Sequence, residues 1–251
     1  MRVTEHEQRT EGWFQARLGC PSASSFHRLI TSTGKPAATA MAYVDELVAE
    51  RITGKQASVY VSEAMQRGTD LEPLAKEVYE LVSGESVFDI GFCKHDDLEA
   101  GCSPDGLVGD NGLLEIKCPM AHTMVGYLRA GNKLPSKYKA QVQGQMWITD
   151  RDSCDFLCYH PDMTLLLVRV ERDQEFIDKL AEQVEMACAL REKLVQDFMA
   201  MLEHVYEQTT GLRWQDEDEA LQFVWIQAWN ASLKAINQQV KYLYYNHGEE
   251  V

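Results

Sequence analysis

The chain has 251 residues, of which 45% are apolar and 25% charged, and its formal net charge is −15 at pH 7. This length suits one large domain or two small ones, and the composition is that of an ordinary soluble globular protein. So large a negative charge excludes a protein that covers nucleic acid with its whole surface, but it leaves room for a local basic groove. Residues 1–7 are polar and no window approaches about eighteen apolar residues, so we expect no signal peptide, no membrane span and a cytoplasmic location.

The seven cysteines are an odd number and include no C-x-x-C pair. Several lie among apolar residues, as Cys154 and Cys158 do around Phe156. Reduced, buried thiols fit this distribution better than a disulfide framework or a zinc site.

The first elements are a short amphipathic segment and a cluster of small polar residues. Trp13 begins the segment, Gly19 interrupts it, and the polar residues 22–26 predict the start of a helix that continues to residue 30. Hydroxyl groups at a helix start with an arginine nearby can bind phosphate. Simple helix capping beside a surface arginine explains the same residues, so both interpretations stay open. Residues 31–39 predict a mobile loop.

Helices and strands alternate along the rest of the chain. The sequence pattern predicts helices over 41–52, 62–81, 121–131, 138–146 and 174–206. It predicts strands over 87–93, 156–159 and 165–170. Glu72 lies beside the apolar stripe of the second helix, where it either faces solvent or approaches a metal centre.

The stretch from residue 102 to residue 119 carries the side chains best suited to catalysis. Glu115 and Lys117 are two positions apart, so on a strand they share one face while Ile116 points back into the core. Asp105 lies ten residues before Glu115, and the turn-forming residues 106–112 allow a hairpin that brings the two carboxylates together. Two carboxylates can hold Mg²⁺ or Mn²⁺, which activates water and neutralises charge on a phosphoryl group. A lysine on the same face can orient or deprotonate that water.

An aspartate followed by E-x-K therefore favours phosphodiester hydrolysis. The alternative interpretation is a solvated cross-strand pair of Glu115 and Lys117. The apolar residues Leu113 and Leu114 and the turn at residues 103–106 favour the catalytic interpretation.

The chain changes character beyond residue 208. Residues 216–219 are all acidic, and the aromatic residues that follow form an amphipathic pattern. From Glu203 onward eight acidic and three basic side chains give a local net charge of −5, so this part does not hold DNA by itself. We predict a domain over residues 1–208 and an acidic, aromatic-rich helical extension over 209–251.

Five motifs follow one another along the chain. They are W-x-x-x-R-L-G-x-x-x-A-S from Trp13, R-G-x-x-x-E from Arg67, C-S-P-D-G from Cys102, E-I-K-C-P from Glu115 and A-Q-V-Q-x-x-M-W from Ala140. Together they resemble the motifs of phage lambda exonuclease and its viral-type recombination relatives. The resemblance spans residues 10–200 and does not include the C-terminal extension.

This resemblance implies an α/β fold with a restriction-endonuclease-like core, in which a mixed central sheet is flanked by helices. It implies a Mg²⁺-dependent nuclease domain that digests one strand of linear double-stranded DNA from a 5′-phosphorylated end. The remaining 3′ overhang would serve single-strand annealing recombination. The implied assembly is a homotrimer around the DNA, and the implied partner is a single-strand annealing protein.

The resemblance also implies a role for individual residues. The metal ligands would be Asp105, Glu115 and the carbonyl oxygen of Ile116. Lys117 would orient or activate the water, and Glu72 and Gln141 would complete the catalytic site.

The terminal 5′ phosphate would be bound by Arg17, Ser24 and Ser103, because a guanidinium group and hydroxyl groups suit a phosphate dianion. Met41 and Met65 fall where the family has apolar wedge residues that separate the DNA strands; the alternative is that both are core methionines.

One departure from the family lies in the loop at residues 31–39, where Lys35 is the basic residue nearest to the position of a family arginine. Two other functions use the same core. A structure-specific endonuclease would cut within the duplex, and a catalytically idle protein would bind DNA ends without cleaving them.

Overall fold

The computed structural model describes residues 1–56 and 62–210, together with Arg213, Trp214, Gln222, Ile226 and Ala228. The chain divides into two compact units, Met1–Glu192 and Lys193–Val251. Within the described residues, no helix is both long and apolar enough to cross a membrane.

The helices lie close to where the sequence pattern predicts them. The α-helices are α1 (Glu11–Arg17), α2 (Ala40–Thr53), α3 (Glu63–Ser83), α4 (Ala121–Arg129), α5 (Lys139–Thr149) and α6 (Gln174–Thr210). The Ser62 hydroxyl caps α3 by accepting a hydrogen bond from the Met65 backbone N–H at 3.2 Å. All five helices predicted beyond residue 40 are confirmed, with ends that differ by a few residues.

The polar cluster at residues 22–26 forms a short 3-10 helix, Ala23–Arg28, and not the predicted helix that continues to residue 30. Phe26 is buried in this helix and packs on α5, where a Cβ atom added to Gly144 would lie 2.4 Å from the Phe26 ring. Ser22 is the N-cap residue, but its side chain makes no capping hydrogen bond. Simple capping is therefore the wrong interpretation of the Ser22 hydroxyl.

A five-stranded mixed sheet forms the centre of the first unit. Its strands are β2 (Val87–Phe88), β5 (Gly106–Val108), β6 (Gly112–Lys117), β7 (Ser153–Cys158) and β8 (Leu166–Glu171), in the order β2-β5-β6-β7-β8. Only the β6–β7 pair is parallel, with Glu115 opposite Phe156. The connection between these two strands contains α4 and α5, as a parallel crossover requires. The predicted mixed sheet flanked by helices is confirmed.

A second sheet has three short strands, β1 (Arg2–Val3), β3 (Cys93–Lys94) and β4 (Gly101–Cys102), in the order β1-β3-β4. The single strand predicted over residues 87–93 is therefore wrong, because β2 and β3 belong to different sheets. The N-terminal segment crosses between them, where the Thr4 N–H donates to the Phe92 carbonyl at 2.9 Å. A Cβ atom at Gly91 would lie 2.4 Å from the Thr4 carbonyl oxygen, so only glycine allows this approach.

Both faces of β6 are covered. On one face Leu113 packs with residues of α4, α5 and β7, including Met124, Val142 and Phe156. On the other face Leu114 and Ile116 pack with Ala75 and Tyr79 of α3. The side chains of β6 therefore alternate between an α5 side, which includes Glu115, and an α3 side. All seven cysteines are free and six of them are buried, as predicted.

The described residues of the second unit are the last turns of α6 and the five separate residues beyond them. The rings of Tyr206 and Trp214 pack edge to face, with centroids 5.2 Å apart. Most of the predicted helical extension at 209–251 lies outside the described residues, and the domain boundary after residue 208 stays a prediction.

Candidate active site

The hairpin of β5 and β6 brings the two predicted carboxylates together. The Asp105 N–H donates to the Leu114 carbonyl at 3.1 Å, and Asp105 Oδ2 accepts the Ile116 N–H at 2.6 Å. Asp105 is thus fixed to the backbone beside Glu115. Glu115 and Lys117 share a strand face, and Lys117 Nζ forms an ion pair with Glu115 Oε1. This buried contact contradicts the interpretation of the pair as solvated.

Two glutamines of α5 hold the Glu115 carboxylate. Gln141 donates to Oε1 and Gln145 donates to Oε2, each at 2.6 Å, and Glu115 is only 1% exposed. The two glutamines are four positions apart, so they lie on the same face of the helix. Both oxygens of the buried carboxylate are therefore hydrogen-bonded and their positions are fixed.

The cluster has an excess of negative charge. Burial raises the pKa of the Asp105 carboxyl well above its usual range, and the charge of Glu115 raises it further. Burial disfavours the charged ammonium of Lys117, but the carboxylates of Glu115 and Asp105 outweigh this and raise its pKa. Lys117 is therefore protonated at neutral pH, and it balances only part of the charge of the carboxylates.

Glu72 of α3 lines the same cavity as Asp105 and Glu115. Its carboxylate forms an ion pair with Arg9, a residue whose backbone has a left-handed φ of 70°. Glu72 is therefore neither a simple solvent-facing glutamate nor a fully buried one.

A second polar cluster lies beside the carboxylates. Arg17 donates to the Ser22 hydroxyl at 3.2 Å, and the hydroxyl oxygens of Ser22 and Ser24 are 3.2 Å apart. The Arg17 guanidinium lies 4.2 Å from the centroid of the Trp13 ring, and the indole N–H of Trp13 donates to the Ser103 hydroxyl at 2.9 Å. Burial lowers the pKa of Arg17, as is typical of a cation partly removed from water. We call these five residues the hydroxyl–arginine cluster.

One cavity of about 230 Å³ joins the two clusters. The predicted site residues that line it are Arg17, Ser24, Glu72, Ser103, Asp105, Glu115, Ile116, Lys117 and Gln141. Carboxylates, a lysine, hydroxyls and an arginine thus face the same space. The cavity therefore offers an arginine and hydroxyl groups to an anion next to a pair of carboxylates and a lysine.

Met41 and Met65 do not line this cavity. They lie in the first turns of α2 and α3, and are 50% and 51% exposed, so neither is a core methionine. Their wedge role stays a prediction. Lys35 is exposed in a loop that is closed by a bridge between Ile30 and Pro36.

The sequence patterns did not assign several residues that line the cavity, among them Arg9, Trp13, Ser22 and Gln145. Gln145 has the i, i+4 spacing from Gln141 that could have revealed it, and Ser22 belongs to the polar cluster already noted. Arg9 and Trp13 reach the site only through tertiary contacts, with Glu72 and Ser103 respectively. No local pattern indicates contacts over such separations.

A protein-family model described as the YqaJ-like viral recombinase domain matches residues 12–152. This match includes every predicted site residue. None of the curated proteins compared with the chain matches it.

Solved structures give a consistent result. An alkaline exonuclease, LHK-Exo, from Laribacter hongkongensis is 36% identical, with a TM-score of 0.72 over 78% of this chain and 100% of that one. The same exonuclease in complex with dAMP gives a TM-score of 0.70 with the same identity and coverage. A phage-related exonuclease from Haemophilus somnus 129PT is 19% identical, with a TM-score of 0.55 over 71% of this chain and 96% of that one, and it supports the fold alone. The resemblance of the five motifs to the phage lambda exonuclease family is confirmed, and so is the restriction-endonuclease-like fold.

Proposed function

Because this chain belongs to the family of YqaJ-like viral recombinase domains, we propose that it degrades one strand of linear double-stranded DNA from a 5′-phosphorylated end. The coarser part of this function, a DNA-degrading hydrolase, follows from the family and from the 36% identity to an alkaline exonuclease. The product would be a duplex with a 3′ single-stranded overhang, which suits recombination by strand annealing.

One observation carries the finer part of the proposal. The hydroxyl–arginine cluster and the catalytic carboxylates line a single cavity. A 5′-terminal phosphate bound at Arg17, Ser24 and Ser103 would place the first internucleotide linkage next to Asp105, Glu115 and Lys117. Cleavage of that linkage would release one nucleotide and create a new 5′ phosphate for the next cycle.

The donor set fits a divalent cation. Carboxylate and carbonyl oxygens are the ligands that Mg²⁺ and Mn²⁺ prefer. The pKa of Asp105 is raised first by burial and then by the charge of Glu115, and a bound cation would oppose both effects. In the described part of the chain, no three His, Cys, Asp or Glu side chains form a complete metal site. We assign the ion to Asp105, Glu115 and the Ile116 carbonyl, as the resemblance to phage lambda exonuclease implies, with Mg²⁺ as the expected metal and Mn²⁺ as a substitute.

The remaining groups have distinct roles. A bound cation would lower the pKa of a water molecule and neutralise charge on the phosphoryl oxygens. Lys117 orients the attacking water, Gln141 and Gln145 fix the Glu115 carboxylate, and the ion pair of Glu72 and Arg9 also lines the cavity.

The proposal extends to the assembly. A homotrimer that encloses the DNA and a single-strand annealing protein as partner both rest on the resemblance to phage lambda exonuclease. We assign the acidic residues 209–251 to one or both of these contacts.

The nuclease class is tested by incubating the protein and Mg²⁺ with a linear duplex and with a closed circular duplex. We expect loss of the linear DNA while the circle stays intact, and no cleavage when EDTA is added. Nicking of the circle would instead identify an endonuclease, and no cleavage of either DNA would identify an end-binding protein.

A further inference from the structure

A second cavity, of about 570 Å³, opens beside Lys117. It shares Glu72, Ile116 and Lys117 with the catalytic cavity, and its own lining includes Met65, Gly68, Lys137 and Tyr138. No residue of the hydroxyl–arginine cluster lines it. This α3 cleft therefore leads from the carboxylates away from Arg17.

The walls of the α3 cleft are tied together by Arg67. Its guanidinium donates to the carbonyl oxygens of Cys118 and Pro119 at 3.1 and 3.2 Å. These bonds fix α3 to the segment that follows β6. Hydrogen bonds therefore hold the two sides of the cleft in place next to β6.

The chain that forms one side of the α3 cleft has an unusual charge. Residues 116–149 contain five basic and no acidic side chains, although the whole chain has a net charge of −15. Within this segment Lys137 lies over the Tyr138 ring at 4.8 Å from its centroid, and over the Tyr127 ring at 5.4 Å. Lys137 is exposed and forms no ion pair with any described residue. It offers a positioned cation to an anion in the cleft.

Gly68 is a second observation that indicates an occupant. It lies in the interior of α3, where a glycine stabilises the helix less than an alanine would. No described atom lies within 4 Å of a Cβ atom added at this position, so packing inside the protein does not require glycine there. A glycine in such a place leaves room for the close approach of another molecule.

We infer that the α3 cleft holds the strand under digestion on the downstream side of the cut, with Lys137 bound to the phosphate that follows the scissile one. The inference rests on the proposed function, because a terminal phosphate at Arg17 is what places the scissile linkage at the carboxylates. The strand then continues over Gly68, between α3 and Tyr138. The residue that suits the cleft to a polyanion is Lys137, which lines the cleft but not the catalytic cavity, in a segment (residues 116–149) without acidic side chains. Glu72 and the Glu115-paired Lys117 line the cleft where it meets the catalytic cavity.

The test is a double-mutant cycle between the protein and the DNA. A 5′-phosphorylated duplex carries one neutral methylphosphonate at its second internucleotide linkage, and its affinity is measured by fluorescence anisotropy in EDTA, where no cleavage occurs. On the native protein the neutral linkage should weaken binding roughly tenfold, the scale of one charge-assisted hydrogen bond. Lys137→Ala should weaken binding of the unmodified duplex by a similar factor. In this variant the neutral linkage should not weaken binding any further.

Lys133→Ala is the matched control, since it removes the same charge from the same basic segment but lies outside the lining of the cleft. In this variant the neutral linkage should still weaken DNA binding by the same factor as in the native protein. If the neutral linkage weakens Lys137→Ala as much as it weakens the native protein, the assignment of the strand to this cleft is overturned.

Gly68→Ala gives a second, independent readout. The added methyl group should raise Tm, because alanine favours the helix, and it should weaken binding of the same duplex. A rise in Tm with unchanged affinity would overturn the passage of the strand over Gly68. A native protein that binds 5′-hydroxyl and 5′-phosphate ends equally would instead contradict the proposed function, so the two failures are distinguishable.

Discussion

Glu115 connects the parts of the site at the scale of single residues. It is nearly fully buried, it pairs with Lys117, and it accepts hydrogen bonds from Gln141 and Gln145. A buried carboxylate with several donors is held in one position, which is what a metal ligand requires. Its partners are therefore expected to affect catalysis too, although less than the ligands themselves.

Removal of either carboxylate should separate cleavage from binding. We expect Asp105→Ala and Glu115→Gln to reduce cleavage by at least about a thousandfold, because the metal loses a ligand. Binding of a 5′-phosphorylated end should persist, since Arg17 and the serines are unchanged. Single-turnover cleavage and anisotropy measure the two properties, and substantial turnover by Asp105→Ala would contradict the metal assignment.

Gln145 is a residue whose contact with Glu115 is seen only in the structure. Gln145→Ala leaves one oxygen of Glu115 without its donor, and we expect the rate to fall roughly 10- to 100-fold, as for other groups that orient a ligand. The matched control is Gln143→Ala on the opposite face of α5, where the side chain bonds the backbone at Glu171 and Asp173. The control should keep its rate per folded molecule. Equal rates for both variants would exclude a positioning role for Gln145.

Arg17 should determine the preference for a phosphorylated end. We expect Arg17→Ala to reduce the ratio of the rates on 5′-phosphate and 5′-hydroxyl ends roughly tenfold, because the guanidinium that binds the phosphate is removed. Arg28→Ala is the control, because Arg28 is on the neighbouring 3-10 helix but pairs with Glu46. Initial rates on the two kinds of end measure the preference, and an unchanged ratio in Arg17→Ala would rule out the proposed pocket.

The alternation of side chains along a strand and the turn-forming residues before it predicted that Asp105, Glu115 and Lys117 lie close together. Both signals are short-range features of the sequence. They could not predict which residues approach from a distance. Ser103 and Trp13 are ninety positions apart, and only the folded chain brings them into hydrogen-bond contact. Ser22 and Gln145 were visible in the pattern as a polar cluster and a helix face, but only the fold directs them to the cavity.

At the scale of elements, α3 positions Glu72, Gly68 and Met65 relative to the sheet. It is held by the buried Tyr79, whose hydroxyl donates to Asp155 of β7 at 2.6 Å. Burial raises the pKa of Tyr79, and the hydrogen bond to Asp155 adds to the shift, so the phenol stays protonated and can donate.

Tyr79→Phe should lower the free energy of unfolding by about 1–3 kcal/mol, because the carboxylate of Asp155 loses a donor within the core. The rate per folded molecule should change little, since neither group lines the catalytic cavity. Urea denaturation measures the effect. In an Asp155→Ala background, Tyr79→Phe should lower the free energy of unfolding much less. An equal decrease in both backgrounds would contradict the stabilising role of the Tyr79–Asp155 hydrogen bond.

The long helices follow from the sequence because their apolar spacing repeats over many turns. The short strands do not, since two-residue strands such as β2 and β3 carry too little pattern. The N-terminal segment decides where one sheet ends and the next begins, through its contact at Gly91. The 3-10 helix likewise depends on the packing of Phe26 against α5.

At the scale of the whole molecule, the strongly negative charge and the basic segment at residues 116–149 restrict where DNA can bind. Residues 209–251 are acidic, and we propose that they serve assembly or the annealing partner. A protein that ends at residue 208 should therefore lose trimer formation, partner binding or both, as measured by light scattering and by a pull-down with a single-strand annealing protein. A truncated protein that keeps both would show that these residues serve neither contact.

The central claim is that digestion starts at a 5′ phosphate held beside the catalytic carboxylates. It is tested most directly with a linear duplex in which only one strand has a 5′ phosphate and each strand carries a different fluorophore at its 3′ end. In the presence of Mg²⁺ we expect the phosphorylated strand to be shortened from its 5′ end while the other strand keeps its full length. Equal shortening of both strands, or shortening from the 3′ ends, would contradict the account.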